Sequence, residues 1–132
     1  MENTGGANKP NSITGKRVLI IEDEIFVALD LQLELENAGV KVIGPVGTLE
    51  EAIAIATREE IDIAVVDVDL HGKQSYPAAD ILRKKGTPFV WHTGVINRDT
   101  FLQTYPDVPV IEKPARPSDI IEMLAKLTTD HA

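Results

Sequence analysis

The sequence contains no cysteine and few aromatic or basic residues, and each shortage excludes a class of function. Without cysteine, disulfide bonds and thiolate chemistry are impossible. Lys and Arg number 13 against 21 Asp and Glu, which leaves a formal net charge of −8. A sequence-independent nucleic-acid surface is therefore not expected, because such binding needs clustered basic side chains. The aromatic content of 5% within a hydrophobic fraction of 43% suits an aliphatic interior.

Long apolar runs are missing as well. No apolar stretch approaches the roughly 20 residues that a helix needs to cross a bilayer. Residues 1–10 also lack the apolar core of a secretory signal. We therefore expect a cytoplasmic protein that does not contact a membrane.

The length of 132 residues fits one domain with a substantial core. Residues 1–14 are rich in Gly, Asn, Ser and Thr and should bury almost nothing, which predicts a flexible N-terminal tail. The predicted domain covers residues 15–129, and residues 130–132 form a short C-terminal tail. Because nothing follows residue 132, we expect no DNA-binding or enzymatic output domain and an output through partner proteins.

From Arg17 onward, short apolar runs alternate five times with segments of helical periodicity. The predicted strands cover residues 17–21, 41–43, 61–67, 88–92 and 108–112. Parallel strands joined by right-handed helical crossovers give an α/β fold of the flavodoxin-like (βα)5 type, a three-layer sandwich. The predicted order of its parallel five-stranded sheet is 2-1-3-4-5.

Helices are predicted between these strands, and one of them is poorly supported. They begin near Ile25, at the capping box Thr48–Glu51, at Pro77 and at Pro117. The segment 94–107 offers few apolar side chains, so the fourth helix that it must contain should be short or weak.

The first helix, predicted over residues 25–38, has a broad apolar surface. Phe26, Leu29 and Leu33 lie on one face at helical spacing. Leu31 and Leu35 broaden the apolar surface beyond this stripe. Gly39 then provides the C-terminal stop.

Four of the five predicted strands end at polar residues of complementary type. Glu22 and Asp23 follow the first strand, Asp67 closes the third, and Thr93 and Lys113 follow the fourth and the fifth. The carboxyl ends of parallel strands meet at one edge of a sheet, where ligands bind. Because strands one and three are neighbours in the predicted order, Asp23 should lie beside Asp67.

Three carboxylates that converge on one edge repel each other, and a divalent cation relieves that repulsion. Mg2+ prefers oxygen ligands and usually keeps several waters. We expect Asp23 and Asp67 to bind Mg2+ directly, the backbone carbonyl of Asp69 to be a third protein ligand, and Glu22 to act through water. Mn2+ is expected to substitute for Mg2+.

Asp67 is also a candidate nucleophile toward phosphorus, which would give an acyl phosphate. The Lys113 ammonium and the Thr93 hydroxyl would stabilise charge on the transferred group. Each feature alone has an ordinary explanation, since acidic loops, helix caps, turns and solvated lysines are common. Consistent placement on four strand ends favours phosphoryl transfer.

Together these residues resemble the receiver domain of a two-component response regulator, over residues 16–129. The matching motifs are VLIIEDE at 18–24, VVDVDL at 65–70, Thr93 and EKP at 112–114. The resemblance implies that Asp67 accepts a phosphoryl group from a histidine kinase or a histidine phosphotransfer protein, with Mg2+ required. It also implies a cis Lys113–Pro114 bond and a signalling protein rather than an enzyme, which catalyses only its own phosphorylation and dephosphorylation.

The resemblance extends to the partners. In this family the first helix docks the phosphodonor, so the exposed face of residues 25–37 is the expected docking surface. His71, Gly72 and the segment 75–80 resemble single-domain receivers of α-proteobacteria, some of which work with HWE-type kinases. We expect a monomer or a weak phosphorylation-dependent dimer, and the sequence does not identify the downstream protein target.

One position departs from the family pattern. Many receivers have an aromatic residue on strand five, three residues before the lysine, where this chain has Val110. The usual coupling between the strand-four hydroxyl and that aromatic ring is therefore not expected here. The predicted carrier of the signal is the segment 94–107, which would become ordered when Thr93 engages the phosphoryl group.

Two alternatives stay open. Asp67-Val68-Asp69 matches the Asp-x-Asp motif of haloacid-dehalogenase-like phosphatases, but that family has its nucleophile near the start of the domain. A pseudo-receiver, which acts as an interaction module without accepting phosphate, is the second alternative. The presence of Asp23, Asp67, Thr93 and Lys113 argues against it.

Overall fold

The fold is described from a computed structural model, which covers residues 13–94 and 103–130. The expected N-terminal tail lies outside these residues except for Ile13 and Thr14. Most of the weak fourth helix also falls outside them, although Gln103 and Thr104 are helical. The division into tail, domain and tail therefore stays a prediction.

Five parallel strands form the central sheet, in the order β2-β1-β3-β6-β7. Because two short strands intervene in the chain, this is the predicted order 2-1-3-4-5, and the prediction is confirmed. The sheet strands are β1 (Arg17–Ile21), β2 (Lys41–Val46), β3 (Ile63–Val66), β6 (Phe89–Thr93) and β7 (Val110–Glu112). The two short strands are β4 (Asp69–Leu70) and β5 (Lys73–Gln74).

Helices cover both faces of the sheet, as the three-layer prediction requires. They are α1 (Ile25–Asn37), α2 (Leu49–Arg58), α3 (Tyr76–Lys84) and α4 (Pro117–Asp130). Successive strand residues point to opposite faces, so Leu19 packs in one core with α2 and α3. Its neighbour Ile20 packs in a second core with α1 and α4.

The start of α2 is the capping box that the sequence predicts. Thr48 Oγ1 accepts a hydrogen bond from Glu51 N at 3.1 Å, and the Glu51 carboxylate in turn accepts from Gly47 N. Both interactions satisfy amides near the helix N-terminus that have no partner within the helix. Ala52 and Ala56 then pack into the core.

Strand β2 is longer than predicted, since it runs on to Val46 instead of ending at Ile43. Its pairing with β1 shifts from Leu19–Ile43 to Ile21–Val46, so one extra residue of β2 is accommodated at Gly44-Pro45. Gly44 has a φ of 86°, which only glycine adopts without strain. Proline is tolerated next to it because β2 is an edge strand.

Residues 70–75, predicted as loop, instead contain a small hairpin of β4 and β5. Its two-residue turn consists of His71 and Gly72, with φ values of 52° and 86°. Two successive positive φ angles are the signature of the type I′ turn, which favours two-residue hairpins. The hairpin places its turn directly after the strand end at Asp67.

The apolar stripe of α1 faces solvent rather than the core. Phe26 is 84% exposed, and the neighbouring stripe residues are at least half exposed: Ile25, Leu29 and Leu33. The buried side of α1 consists of Ala28, Leu31 and Leu35. The helix therefore presents a second apolar surface that no described part of the chain covers.

Ile13 is fully buried in the core that α1 and α4 share. The expectation that residues up to about 14 bury almost nothing is therefore wrong for Ile13. A neighbouring polar contact holds the chain there, because Thr14 Oγ1 donates to the Ala38 carbonyl at 3.1 Å.

Among the described residues, none of the helices is both long and apolar enough to cross a membrane.

Candidate functional site

Asp67 lies directly after β3, at the carboxyl edge of the sheet, and is 5% exposed. Its backbone is fixed on both sides, since Asp67 N donates to the Ile21 carbonyl and Ser75 Oγ donates to the Asp67 carbonyl at 2.6 Å. One carboxylate oxygen accepts from Asp69 N at 3.3 Å. The other oxygen accepts from Lys113 Nζ at 2.9 Å.

The acid pair after β1 lies beside Asp67 because β1 and β3 are neighbours in the sheet. The Glu22 side chain is only 3% exposed, and the Asp23 side chain is 14% exposed. Asp23 Oδ2 accepts a hydrogen bond from His71 N at 2.9 Å. The turn of the small hairpin thus holds this carboxylate in place from the rim of the site.

Lys113 follows β7 and is the centre of the charge network. Its Nζ donates to Glu22 Oε2 and to Asp67 Oδ2, each at 2.9 Å, and also to Glu24 Oε1. Burial opposes the charge on Lys113, but hydrogen bonds to Glu24, Asp67 and Glu22 outweigh it and raise the pKa of the ammonium. Lys113 is therefore a permanent cation between the carboxylates.

The peptide bond between Lys113 and Pro114 is cis, as the resemblance implies.

Burial also changes the protonation of the neighbouring groups. Desolvation raises the pKa of Glu22 to about 7, despite the hydrogen bond from Lys113, and repulsion by Asp67 acts in the same direction. Desolvation lowers the pKa of His92, and the positive Lys113 adds to this effect. Glu22 is thus harder to ionise than an ordinary glutamate, and His92 is harder to protonate than an ordinary histidine.

A cavity of about 300 Å3 opens between these groups at the edge of the sheet. Its lining includes Asp23, Asp67, Asp69, Thr93 and Lys113. Thr93, the last residue of β6, is fully buried, and its carbonyl accepts from Lys113 N at 2.9 Å. The structure therefore brings five predicted site residues to one cavity, and the sixth, Glu22, contacts Lys113 behind it.

The donor set suits a hard divalent cation. Carboxylate oxygens of Glu22, Asp23, Glu24 and Asp67 all lie within 4.8 Å of one another. Mg2+ is bound by oxygen ligands of this kind. Burial chiefly raises the pKa of Glu22, and repulsion by the Asp67 carboxylate adds to this shift. The described residues therefore fit the predicted metal.

Several residues of the site were not predicted from the sequence. Glu24 contacts Lys113, Ser75 fixes the Asp67 backbone, and His71 contributes its backbone amide. His92 packs behind Glu22, with its Nδ1 3.8 Å from Glu22 Oε1. Of these, only Glu24 had a visible signal, because it continues the acidic run after β1.

Four of the described aromatic residues form a cluster at β6 rather than at the position of Val110: Tyr76, Phe89, Trp91 and Tyr105. Trp91 and Tyr105 are fully buried and contact each other edge to face, with ring centroids 5.3 Å apart. The Tyr105 hydroxyl donates to Asp80 Oδ1 at 2.6 Å, and the Arg83 guanidinium lies 4.6 Å above its ring. Tyr105 is thus held in the core on the face that α2 and α3 cover.

Comparison with known proteins places this geometry in context. No family model matches the chain. The transcriptional regulatory protein PdtaR of Mycobacterium tuberculosis is 31% identical over 97 residues, which are 73% of this chain and 47% of PdtaR. The chain thus spans less than half the length of the curated relatives it matches.

Receiver domains are among the solved structures that share the fold. A response regulator receiver domain protein (CheY-like) from Methanospirillum hungatei superimposes with a TM-score of 0.79 at 21% identity, covering 89% of this chain and 96% of that one. The receiver domain of sensor histidine kinase PA1611 from Pseudomonas aeruginosa gives a TM-score of 0.74 at 20% identity, with coverages of 88% and 99%. That structure has a magnesium ion coordinated in its active site cleft.

Proposed function

Since the chain belongs to the receiver domains of response regulators, we propose that it accepts a phosphoryl group on Asp67 and signals through protein contacts. The observation that carries this proposal is the contact of the Lys113 ammonium with the Asp67 carboxylate at 2.9 Å. It occurs in a cavity at the carboxyl edge of the sheet, which Asp23 and Thr93 also line.

The proposed reaction is a direct transfer. A carboxylate oxygen of Asp67 attacks the phosphorus of a phosphohistidine, the new P–O bond forms, and the P–N bond breaks. The leaving imidazole takes up a proton as it departs. Lys113 offsets the charge that the new phosphoryl group brings, and the Thr93 hydroxyl is placed to contact one of its oxygens.

The same site is proposed to need Mg2+. Asp23 and Asp67 would hold the ion directly, with the Asp69 carbonyl as a third protein ligand and Glu22 acting through water. When bound, the ion supplies positive charge to the phosphoryl oxygens. Support comes from the clustered carboxylates and from the magnesium ion in the PA1611 receiver domain.

We propose the exposed face of α1 as the docking surface for the phosphodonor, a histidine kinase or a histidine phosphotransfer protein. Its four exposed apolar side chains lie on a helix that begins directly after Glu24, a residue that lines the cavity. The helix also contains Asp30, Glu34 and Glu36 but no Lys or Arg. A matching partner therefore has an apolar face bordered by basic side chains.

The test is incubation with acetyl phosphate and Mg2+, followed by intact-mass measurement, with Asp67→Asn as control. We expect a gain of one phosphoryl group that depends on Mg2+ and is lost in the variant. Binding of beryllofluoride, a phosphoryl analogue, is measured in parallel by 19F NMR. If wild-type protein neither gains mass nor binds beryllofluoride, the chain is a pseudo-receiver and the proposal is wrong.

The haloacid-dehalogenase-like phosphatase alternative lacks support, because Asp67 follows the third strand along the chain rather than the first.

A further inference from the structure

The hairpin of β4 and β5 contacts or contains each of the three proposed direct protein ligands of the metal. The backbone amide of His71, in its turn, donates to Asp23 Oδ2 at 2.9 Å. Ser75, the residue after β5, donates its hydroxyl to the Asp67 carbonyl at 2.6 Å. Asp69 is the first residue of β4 itself. The hairpin therefore connects the chain after β1 with the chain after β3, from which these ligands come.

Asp23 depends on the hairpin more than the other carboxylates of the acidic cluster do. In the described structure, Lys113 Nζ donates to those other three carboxylates and not to Asp23. The Asp23 side chain is 14% exposed, and its nearest hydrogen-bond donor is His71 N. The His71 imidazole lies further away, with Nδ1 3.5 Å from the same oxygen, and is 67% exposed. The backbone amide is thus the group that fixes the Asp23 carboxylate.

The hydrogen bond from His71 N leaves the Asp23 carboxylate able to bind a cation. An ionised carboxylate has about four lone-pair sites on its two oxygens, and the amide occupies one site on Oδ2. Because the amide is uncharged, it orients the carboxylate without cancelling its charge. An oriented ligand loses less rotational freedom when the ion binds. Partners of metal ligands typically contribute about 10- to 100-fold to metal affinity in this way.

The direction of the amide depends on the conformation of the turn. Its two residues have successive positive φ angles, 52° at His71 and 86° at Gly72. A Cβ at Gly72 would meet no atom within 4 Å, so space does not require glycine there. The positive φ does, because most other residues adopt it only with strain. Gly72 therefore maintains the turn from which the His71 amide reaches Asp23.

We propose that this turn positions Asp23 for Mg2+, with the His71 backbone amide as the contact and Gly72 as the residue that maintains it. The inference rests on the proposed function, since it concerns the metal site proposed there. Opening of the hairpin releases Asp23 and weakens metal binding. By thermodynamic reciprocity, bound metal keeps the hairpin closed by the same factor.

The test compares the affinity for Mg2+, measured by NMR titration, between the wild type and two variants of Gly72. Gly72→Pro must break the turn, because the proline ring fixes φ at about −65°, and it should weaken Mg2+ binding about tenfold. Gly72→Asn is the matched control, since asparagine is among the residues that adopt a positive φ most readily. It should bind Mg2+ like the wild type. Equal affinities of wild type and Gly72→Pro, or equal losses in both variants, overturn the proposal.

His71→Asn separates the backbone amide from the imidazole. It keeps the amide, removes the imidazole and creates the Asn-Gly pair that type I′ turns favour. The variant should bind Mg2+ at least as tightly as the wild type. Weaker binding overturns the proposal, because the imidazole rather than the amide would then hold Asp23.

A further measurement uses the wild type alone and does not depend on the folding of any variant. Hydrogen exchange of the His71 amide, followed by NMR, should be about tenfold slower in saturating Mg2+ than in EDTA. The control is the Gly86 amide, which donates to the Arg83 carbonyl at 3.0 Å after α3, away from the site. A slowing at His71 no larger than that at Gly86 overturns the inference alone. Failure of the wild type to bind Mg2+ or to gain a phosphoryl group would instead refute the proposed function.

Discussion

His92 is a buried imidazole without a hydrogen-bond partner for either ring nitrogen among the described residues. It is 3% exposed, on the last but one position of β6. A buried polar group without a hydrogen-bond partner lowers the stability of the fold relative to an apolar side chain of similar size. Its lowered pKa keeps it neutral in the folded chain.

We predict that His92→Leu leaves the free energy of unfolding at pH 7.5 unchanged or raises it by about 1 kcal/mol. The unfolded chain takes up a proton on this imidazole near pH 6.5, whereas folded His92 resists protonation. As the pH decreases below 6.5, the free energy of unfolding of the wild type should therefore fall relative to that of His92→Leu. The expected fall is at most about 1.4 kcal/mol per pH unit. Urea unfolding at pH 7.5 and 5.5 measures the difference.

The prediction for His92 fails if His92→Leu is less stable than the wild type at pH 7.5. That result would mean that the imidazole makes a stabilising interaction with Glu22, 3.8 Å away. A difference that does not change between the two pH values would show that folded His92 titrates normally.

Single residues of the site were predictable where the strand itself fixes their position. Asp67, Thr93 and Lys113 follow apolar runs, and parallel strands bring their carboxyl ends to one edge whatever the details of packing. Ser75 and His92 were not predictable in this way. Their roles depend on which direction a side chain takes in a hairpin or a core, and neither has a periodic signal.

At the level of elements, α1 shows how an apolar pattern can mark two different surfaces. The buried and exposed apolar residues alternate along the same helix, with Leu31 2% exposed and Leu29 50% exposed. Burial of Leu31 drives the packing of α1 against the sheet, whereas Leu29 contributes little to folding. Leu31 thus contributes to the stability of the fold, whereas Leu29 lies on the proposed docking surface.

We predict that Leu31→Ala lowers the free energy of unfolding by about 3 kcal/mol, since it leaves a cavity in the core. Leu29→Ala, the matched substitution on the exposed face, should change it by no more than about 0.5 kcal/mol. Both values come from urea denaturation under identical conditions. A loss of more than about 2 kcal/mol for Leu29→Ala would contradict the exposed placement of the stripe.

The sequence predicted the elements well where periodicity was long and less well where local geometry decided. Strand β1 matches its predicted bounds, and α2 begins at the predicted capping box. The hairpin after Asp67 was missed because two-residue strands are too short for a periodic signal, and His71-Gly72 is not one of the Asn-Gly or Asp-Gly pairs that indicate a type I′ turn. For α1, periodicity identified the helix but could not decide which of its apolar faces is buried.

The whole molecule combines a net charge of −8 with a concentration of carboxylates at one edge of the sheet. Lys113 contacts three of these four carboxylates but carries a single positive charge, so it compensates their mutual repulsion only in part. A cation that binds the folded chain and not the unfolded chain stabilises the fold by mass action. Global stability should therefore depend on divalent cations.

We predict that Mg2+ in about 100-fold excess over its dissociation constant stabilises the protein by about 2.7 kcal/mol relative to EDTA. Differential scanning calorimetry would show this as a higher melting temperature. Asp23→Asn should lose most of the gain because it removes a proposed ligand. Asp107→Asn should keep it; this control is an exposed carboxylate that is bound to Arg83 and precedes β7, at the end of the strand away from the site. An equal gain in wild type and Asp23→Asn would rule out the proposed cation site.

The position of Trp91 gives the protein an internal optical probe. It is the single tryptophan of the chain, two residues before Thr93, and its indole is enclosed by the rings of Tyr76, Phe89 and Tyr105. Indole emission depends on the polarity and packing of its surroundings, and no second tryptophan obscures it. A rearrangement of β6 on ligand binding can thus be followed in real time by fluorescence, without any label.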